Sequence, residues 1–389
     1  MEKNKSMEEA WAGIEVMALS AHLPINIKPV FTNQWALNGP NNSNWQMYND
    51  AFDDSPTNSS IIKGTINYVY GDGLTNINEP NELLAKANVS KHLSKKDAKL
   101  LCHDWKKFGG MAMQIIWNSA SNPEDKKPIL IKYFKIFKLA ISIDEDMEVN
   151  GYWYSFNWAE QGKYVPQWFP KYDGKYKGND VELIIFQRPS SNDFYSQPDY
   201  ISGIRYAQLE GEIQNWSYNH VLNGFQGSKL INCNNGIPSE ELKVKYTQDL
   251  LRKITGTDNA NKTIISFNKS IDNATTIENI AIPELNAQYV QFKDDSREGL
   301  ISAHQASPVI FANKKDGGGL SNNANEIETA TAMMYQQVIR PMQEDILDSL
   351  MEIFVDIDPS IELGFIDFKT FSEMKADVAP EDNTNQIIN

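Results

Sequence analysis

Ile201-Ser-Gly-Ile-Arg-Tyr-Ala-Gln-Leu-Glu-Gly-Glu-Ile-Gln-Asn-Trp-Ser-Tyr-Asn-His-Val-Leu-Asn-Gly224 contains no proline, and it decides how the rest of the chain divides. A helix over it spans about 36 Å at about 1.5 Å per residue, long for a globular domain. Ile204, Ala207, Ile213, Trp216 and Val221 alternate with Glu210, Glu212, Gln214 and Asn219, so only part of the circumference can face a core. Such a helix needs a neighbour, and the sequence offers one. Residues Glu284 to Ala303 again lack proline and carry Tyr289, Phe292 and Leu300 among polar residues, until Ser307-Pro308 interrupts. Between them, residues 225 to 282 read as a strand-helix-strand-strand insert. Its parts are Lys229 to Asn234, a helix opened by Ser239 with Glu240 and Glu241 in its first turn, Lys262 to Asn268, and Thr276 to Ile282.

N-terminal to the first long helix the pattern is mixed. Residues 7 to 23 predict a short helix closed by Pro24, and Ile25 to Asp50 read as an arm pinned by Trp35, Trp45 and Tyr48. A polar cluster at Asp54 to Ser60 caps a helix that ends at Gly71 and Gly73. Ser94-Lys-Lys-Asp97 has capping-box spacing before Leu100, Leu101, Trp105 and Phe108, and Gly109-Gly110 stops that helix. Strand-like runs follow at Met111 to Trp117, Ile129 to Lys135, Tyr152 to Asn157 and Glu182 to Gln187. Within them, residues 151 to 169 alternate aromatics with small or polar residues and read as a hairpin with one aromatic face. Arg188 to Tyr200 is turn-rich and predicts a module boundary. The fold class is α+β.

On the C-terminal side, Asn313-Lys-Lys-Asp-Gly-Gly-Gly-Leu-Ser-Asn322 is the stretch with most backbone freedom, with Lys314 and Lys315 at its mouth. Asn323-Ala-Asn-Glu326 caps a helix running through Ile327, Met334, Val338, Met342, Ile346 and Leu350, bent by Pro341. After Pro359 come one apolar run and a polar tail from Asp377 to Asn389.

Composition narrows the function. The 389 residues are 41% hydrophobic, enough for a substantial core. The formal charge is −15, the opposite of what tight phosphate binding requires, and residues 323 to 389 carry fourteen acids against three bases. No run approaches the length of a membrane span, and the opening Met-Glu-Lys-Asn-Lys-Ser lacks the apolar stretch of a signal peptide. Cys102 and Cys233 cannot build a disulfide framework and are expected as free thiols in a reducing cytoplasm.

Catalytic and cofactor signals are missing. There is no phosphate-binding glycine loop and no dinucleotide fingerprint. His22, His92, His103, His220 and His304 have no metal-ligand spacing, so no metal and no cofactor is expected. His304 and Ser307 could suggest a nucleophile and its base, yet they read better as the end of a helix. Asp294, Asp295 and Glu298 read as a solvated helix face, and the aromatics of 152 to 169 as either a small β core or a sugar-stacking platform.

The ordered set of parts resembles one family. Pro198-Asp-Tyr-Ile-Ser-Gly-Ile-Arg-Tyr-Ala-Gln-Leu-Glu-Gly-Glu-Ile213, Asn219-His-Val-Leu-Asn-Gly-Phe225, Asn234-Asn-Gly-Ile-Pro-Ser-Glu-Glu241, Ile301-Ser-Ala-His-Gln-Ala-Ser-Pro-Val-Ile-Phe311, Asn323-Ala-Asn-Glu-Ile327 and Val338-Ile-Arg-Pro-Met-Gln343 follow one another as in portal proteins of tailed bacteriophages. Ser55 to Ile62 and Tyr70-Gly-Asp-Gly-Leu74 extend the resemblance toward the N-terminus.

The resemblance implies a wing over residues 1–200, a first stem helix at 201–224, a clip at 225–283, a second stem helix at 284–312 and a tunnel loop at 313–322. A bent wing helix at 323–359 and a short crown or disordered tail at 360–389 complete it. It implies a ring of about twelve copies at one capsid vertex, a closed cyclic assembly. Double-stranded DNA would pass non-specifically through its channel during packaging and ejection. Implied partners are the terminase large subunit, the major capsid or scaffold protein, and a head-completion adaptor; no membrane and no enzymatic activity are implied. The ring would be assembled in the host cytoplasm and reside in the virion. By position, Lys314, Lys315, Asp316, Gly317, Gly318 and Gly319 fall in the tunnel loop. Glu210, Glu212, Lys293 and Asp294 fall on the channel side of the stem, and Ser239, Glu240, Glu241, Lys243 and Lys245 on the clip surface that docks partners. The alternative from another class is a glycan-binding protein built on the aromatic hairpin, or another neck component.

Overall fold

A computed structural model describes residues 30–31, 35–146, 148–190, 194–222, 229–233, 239, 263–267, 285–307, 310 and 324–368. The expected helix at 7 to 23, the clip helix after Ser239, the strand at 276 to 282, the loop at 313 to 322 and the tail from Asp377 lie outside the described residues.

Two short strands, β1 (Val30–Phe31) and β2 (Ala36–Leu37), pair antiparallel ahead of α1 (Asn44–Asp54). Here the structure corrects the expected arm: residues 44 to 50 are helical, because Trp45, Tyr48 and Phe52 lie at helical spacing and all three are buried. The α2 helix (Pro56–Tyr70) starts where Ser55 accepts the N–H of Asn58 at 3.2 Å, with Pro56 in the first turn, where a missing N–H costs no helical bond. It stops at Gly71, φ 51, where a Cβ would stand 2.1 Å from the carbonyl oxygen of Ile366. That carbonyl belongs to the partner strand of β3 (Gly73–Asn76).

After α3 (Glu82–His92), the capping serine behaves as its spacing predicts: Ser94 Oγ accepts the N–H of Asp97 at 3.1 Å and opens α4 (Lys95–Phe108). Ala98, Leu101, Cys102, Trp105 and Phe108 are all buried, and Gly109 closes the helix in the left-handed conformation. The chain then enters β4 (Gly110–Trp117), the central strand of an antiparallel sheet between β5 (Pro128–Phe134) and β9 (Val181–Gln187). Met111, Ala112, Met113 and Ile115 have no exposure, so both faces of β4 are covered, which is why its sequence does not alternate. A second antiparallel sheet holds β6 (Leu139–Ile143), β7 (Val149–Tyr154) and β8 (Gln167–Pro170), with Tyr152 opposite Phe169 and Trp153 opposite Trp168.

A further finding concerns Arg188 to Tyr200, expected as a linker. Tyr195 Oη donates to the carbonyl of Ala36 at 2.6 Å and accepts the N–H of Ile141 at 2.9 Å, Ser196 Oγ donates to the Gly109 carbonyl at 2.7 Å, and Tyr200 Oη donates to the Lys107 carbonyl at 2.9 Å. These buried bonds strap the segment onto β2, β6 and the end of α4. Its turn residues are legible locally; the bonds that hold it are long-range and invisible in sequence.

The long helices α5 (Ile204–Leu222) and α6 (Leu285–Ala303) flank a parallel pair, β10 (Lys229–Cys233) and β11 (Thr263–Phe267), in register from Lys229 against Thr263 to Cys233 against Phe267. Parallel pairing requires the chain to cross over between the two strands. The C-terminal helix is in two parts, α7 (Ala324–Met334) and α8 (Arg340–Ile357), joined by a π-turn at Tyr335–Ile339 just before Pro341, where the sequence predicts a bend. Met342, Ile346, Leu350, Ile353 and Phe354 form its buried stripe, each contributing about 1.5–3 kcal/mol. Beyond Pro359 the expected crown or tail begins instead with β12 (Leu363–Ile366), which pairs with β3. The described residues fall into two units: one within Arg205–Gly299, and one combining Ile27–Ile204 with Leu300–Asn389.

Candidate functional site

Two arrangements carry the chemistry. The first is the helix pair. Trp216 of α5 stacks on Tyr289 of α6 with ring centroids 3.8 Å apart and planes 15° apart, and ten residues away on each helix Tyr206 lies over Gly299. The chain advances from 206 to 216 as it retreats from 299 to 289, so the helices run antiparallel. A Cβ on Gly299 would stand 2.5 Å from the Tyr206 ring, which accounts for a glycine inside a helix. Tyr218, Val290 and Phe292 remain exposed, as does Leu209 at 37%. These helices therefore carry unburied apolar side chains between charged ones.

The sequence-expected channel residues separate here. Glu212 and Lys293 are exposed and Asp294 is half-buried, but Glu210 is 7% exposed. Glu210 thus falls on the packed side of α5 within the single chain. Ser239 is exposed. Glu240, Glu241, Lys243, Lys245, Lys314, Lys315, Asp316, Gly317, Gly318 and Gly319 lie outside the described residues.

The second arrangement is a buried ionic cluster that motif reading missed. Lys106, near the end of α4 and without exposure, donates to both carboxylate oxygens of Asp199 at 2.8 and 3.0 Å. Arg188 Nη1 stands 3.2 Å from the same carboxylate, and Arg188 Nε lies 3.9 Å from Asp345 of α8. Burial pushes the Asp199 carboxyl up, and Lys106 with Arg188 outweighs it and holds the group below its ordinary range. Burial pulls the Lys106 ammonium down despite Asp199.

His304, just beyond α6, completes the cluster. Its ring stacks on Tyr200 at 4.3 Å, and its Nε2 lies 2.8 Å from Asn58 Oδ1. The Asn58 amide nitrogen donates to the Ala51 carbonyl at 3.1 Å, so Oδ1 is the acceptor and His304 Nε2 carries the proton. Burial, reinforced by Lys106, holds His304 well below its ordinary value and therefore neutral. Its Nε2 is committed to Asn58, and its ring face to Tyr200, at the end of the helix. Asp199 and Tyr200 do belong to the stretch that carried the family resemblance, which is the signal that could have flagged them.

Part of the aromatic hairpin packs a small core. Trp158 and Trp153 tilt against Trp35 at 5.4 and 5.7 Å, making a small core with Ala140 and Leu37. Tyr152 and Trp158 are buried, while Phe156 and Trp168 are exposed. The buried free thiol of Cys102 is pushed up to about 12 by burial, which makes it inert. Among the described residues, no group of His, Cys, Asp and Glu could hold a metal ion, and no helix is long and apolar enough to cross a membrane.

This architecture has counterparts among solved structures. A chain of the virion of a native gene transfer agent (GTA) particle superposes with a TM-score of 0.53 at 12% identity, covering 90% of this chain and 89% of that one. A chain of the neck of the native GTA particle, computed with C12 symmetry, gives 0.51 at 14% identity over 86% of this chain and 85% of that one. A crystal structure of an HK97-family phage portal protein from Corynebacterium diphtheriae gives 0.40 at 10% identity, covering 86% of this chain and 97% of that one. No protein-family model and no curated protein matches. At these identities the likeness is one of fold: the α+β class expected from the sequence is found, and the fold is shared with chains of a GTA virion and neck.

Proposed function

We propose that this chain is the portal subunit of a phage-like virion, and that about twelve copies close into a ring around a DNA channel at one capsid vertex. The observation that carries the reading is the antiparallel pair α5/α6, locked by Trp216 on Tyr289 while Tyr218, Val290 and Phe292 stay exposed. Neighbouring copies in a ring would cover such side chains, and superposition on a neck chain computed with C12 symmetry supports that geometry. The ring is a conduit and docking platform rather than an enzyme. The terminase large subunit, the capsid or scaffold protein and a head-completion adaptor are its partners, with Ser239, Glu240, Glu241, Lys243 and Lys245 on the docking surface.

The charge fits a conduit. A chain of net charge −15 does not grip phosphate, so DNA can slide, and Glu212, Lys293 and Asp294 are the channel-lining positions. Lys314 and Lys315, in the loop with Asp316 and the three glycines, make transient contact with the DNA backbone. Native mass of the purified full chain, with negative-stain images, tests the assembly: a ring with a central hole is expected. A stable monomer that binds polysaccharide would overturn the reading in favour of a glycan-binding protein. Packaging and DNA retention unchanged by charge reversal at both Lys314 and Lys315 would remove the loop's role.

A further inference from the structure

Two exposed apolar patches of opposite charge lie within the unit that combines Ile27–Ile204 with Leu300–Asn389. The first is the turn from β3 into α3, where Ile77, Leu83 and Leu84 are all exposed, Leu83 at 81%. The turn is held firmly. Asn81 Oδ1 accepts the N–H groups of Leu83 and Leu84 at 3.1 Å, and the Ile77 N–H donates to the Glu362 carbonyl at 2.8 Å. Three large aliphatic side chains exposed on one fixed turn are more than the singly scattered hydrophobics of an ordinary surface. Their surroundings are acidic: residues 72–84 and 358–362 carry Asp72, Glu79, Glu82, Asp358 and Glu362 and no lysine or arginine, and Glu82 pairs with Lys86 at 2.8 Å.

The second patch is the end of the aromatic hairpin. Phe156 and Val165 are exposed, Val165 at 73%, and the Phe156 ring lies 5.2 Å from that of Tyr164. Lys138 Nζ donates to the Phe156 carbonyl at 2.8 Å and stands 5.5 Å from its ring, and Lys163 Nζ stands 5.0 Å from the Tyr164 ring. Residues 132–138 and 155–166 carry Lys132, Lys135, Lys138 and Lys163 against one acid, Glu160, a basic island in a chain of charge −15. The fourteen residues of α4, about 20 Å long, separate the two patches. At its start Tyr70, which precedes β3, donates to the Lys95 carbonyl; at its end Phe108 stacks on Phe137, the neighbour of Lys138. A ring of more than two copies repeats one contact between two different surfaces, which such an arrangement supplies. The geometry points to a contact between copies in which the acid-rimmed aliphatic turn of one subunit seats on the lysine-rimmed aromatic hairpin of the next, an inference that rests on the ring proposed for this chain. Aliphatic anchors on aromatic rings form the dry centre, and the opposite rims set register and orientation.

Photo-cross-linking tests it. Full-length chains carrying p-benzoylphenylalanine at position 83, mixed as ¹⁴N and ¹⁵N forms, are irradiated and mapped by mass spectrometry. A cross-link from position 83 of one isotope to residues 155–166 of the other is expected. Absence of any cross-link between copies, a link from position 83 to position 83, or a link to another surface alone overturns the proposal. A charge exchange gives a second reading: Glu82→Lys with Glu362→Lys, or Lys135→Glu with Lys163→Glu, weakens self-association about tenfold at low salt, and all four together restore it. Unchanged association in both double variants, or no restoration in the fourfold one, overturns it as well. The two readings fail separately. A ring whose cross-links lie elsewhere removes this contact and leaves the portal reading standing, whereas the expected cross-link in an open filament keeps the contact and removes the ring.

Discussion

The ammonium of Lys106 and the carboxylate of Asp199, 93 positions apart, meet at 2.8 Å with Lys106 wholly removed from solvent. Arg188 shares that carboxylate, so one acid faces two bases at the place where the strapped segment 194–200 meets α4. Lys106→Met is expected to cost about 3 kcal/mol, the lower end for breaking a buried pair, since Asp199 keeps some exposure and Arg188 remains. Urea unfolding of the variant measures it. Lys106→Met combined with Asp199→Leu should recover part of that loss, because no charge is then stranded between them.

Acid sensitivity should be traceable to His304. Its folded value lies well below 6.5, near which an unfolded histidine titrates, so as pH falls below about 6.5 the unfolded chain takes a proton that the folded chain refuses. Stability from this group is therefore present above pH 6.5 and is lost as pH falls, approaching about 1.4 kcal/mol per pH unit until the folded value is reached. His304→Gln keeps a donor for Asn58 and has nothing to titrate. The advantage of the native protein over this variant should shrink between pH 7 and pH 5, and parallel stability curves would contradict a neutral buried His304.

Tyr195→Phe removes one hydroxyl and orphans two backbone groups, the Ala36 carbonyl and the Ile141 N–H that faces Tyr195. A loss of about 2 kcal/mol is expected from chemical denaturation. A change within a few tenths would mean that the segment is a passive linker after all.

The stack of Trp216 on Tyr289 is testable by a double-mutant cycle. Trp216→Ala and Tyr289→Ala should each destabilise, with a coupling of about 1 kcal/mol, since ring pairs contribute beyond their buried area. Additive losses would show that the rings pack independently.

Phe292→Glu with Val290→Glu places charge on side chains that are 48% and 58% exposed in the single chain. Circular dichroism and melting should be almost unchanged, while native mass spectrometry loses the ring. Retention of the ring would remove this face of α6 from the subunit contact.

What could be read in advance followed the range of the interactions. Ser55 and Ser94 cap helices through N–H groups three residues away, and Gly71 and Gly109 end them with backbone only glycine adopts cheaply, so α2 and α4 were legible with their limits. The stretch at 44 to 50 was misread because Asn and Gln separate its buried aromatics, and burial, not propensity, makes it helical. Leu363 to Ile366 was apolar enough to be noticed, but nothing local says that its partner is Gly73 to Asn76. At the candidate site, the helix pair was legible as two proline-free runs, while the low exposure of Glu210 was not, because a loose apolar pattern leaves the packed face of α5 undecided.

The sequence by itself determined the α+β class, the two long helices around an insert, the acidic charge and the absence of nucleotide-binding motifs, because each depends on neighbours along the chain or on composition. Only the tertiary structure decided that Lys106 is buried on Asp199, that His304 is neutral with a bare Nδ1, that Tyr195 pins a supposed linker, and that β10 and β11 run parallel. The physical reason is distance: these groups meet across tens to hundreds of residues, and desolvation, which sets their charges and their partners, exists only once the chain has folded.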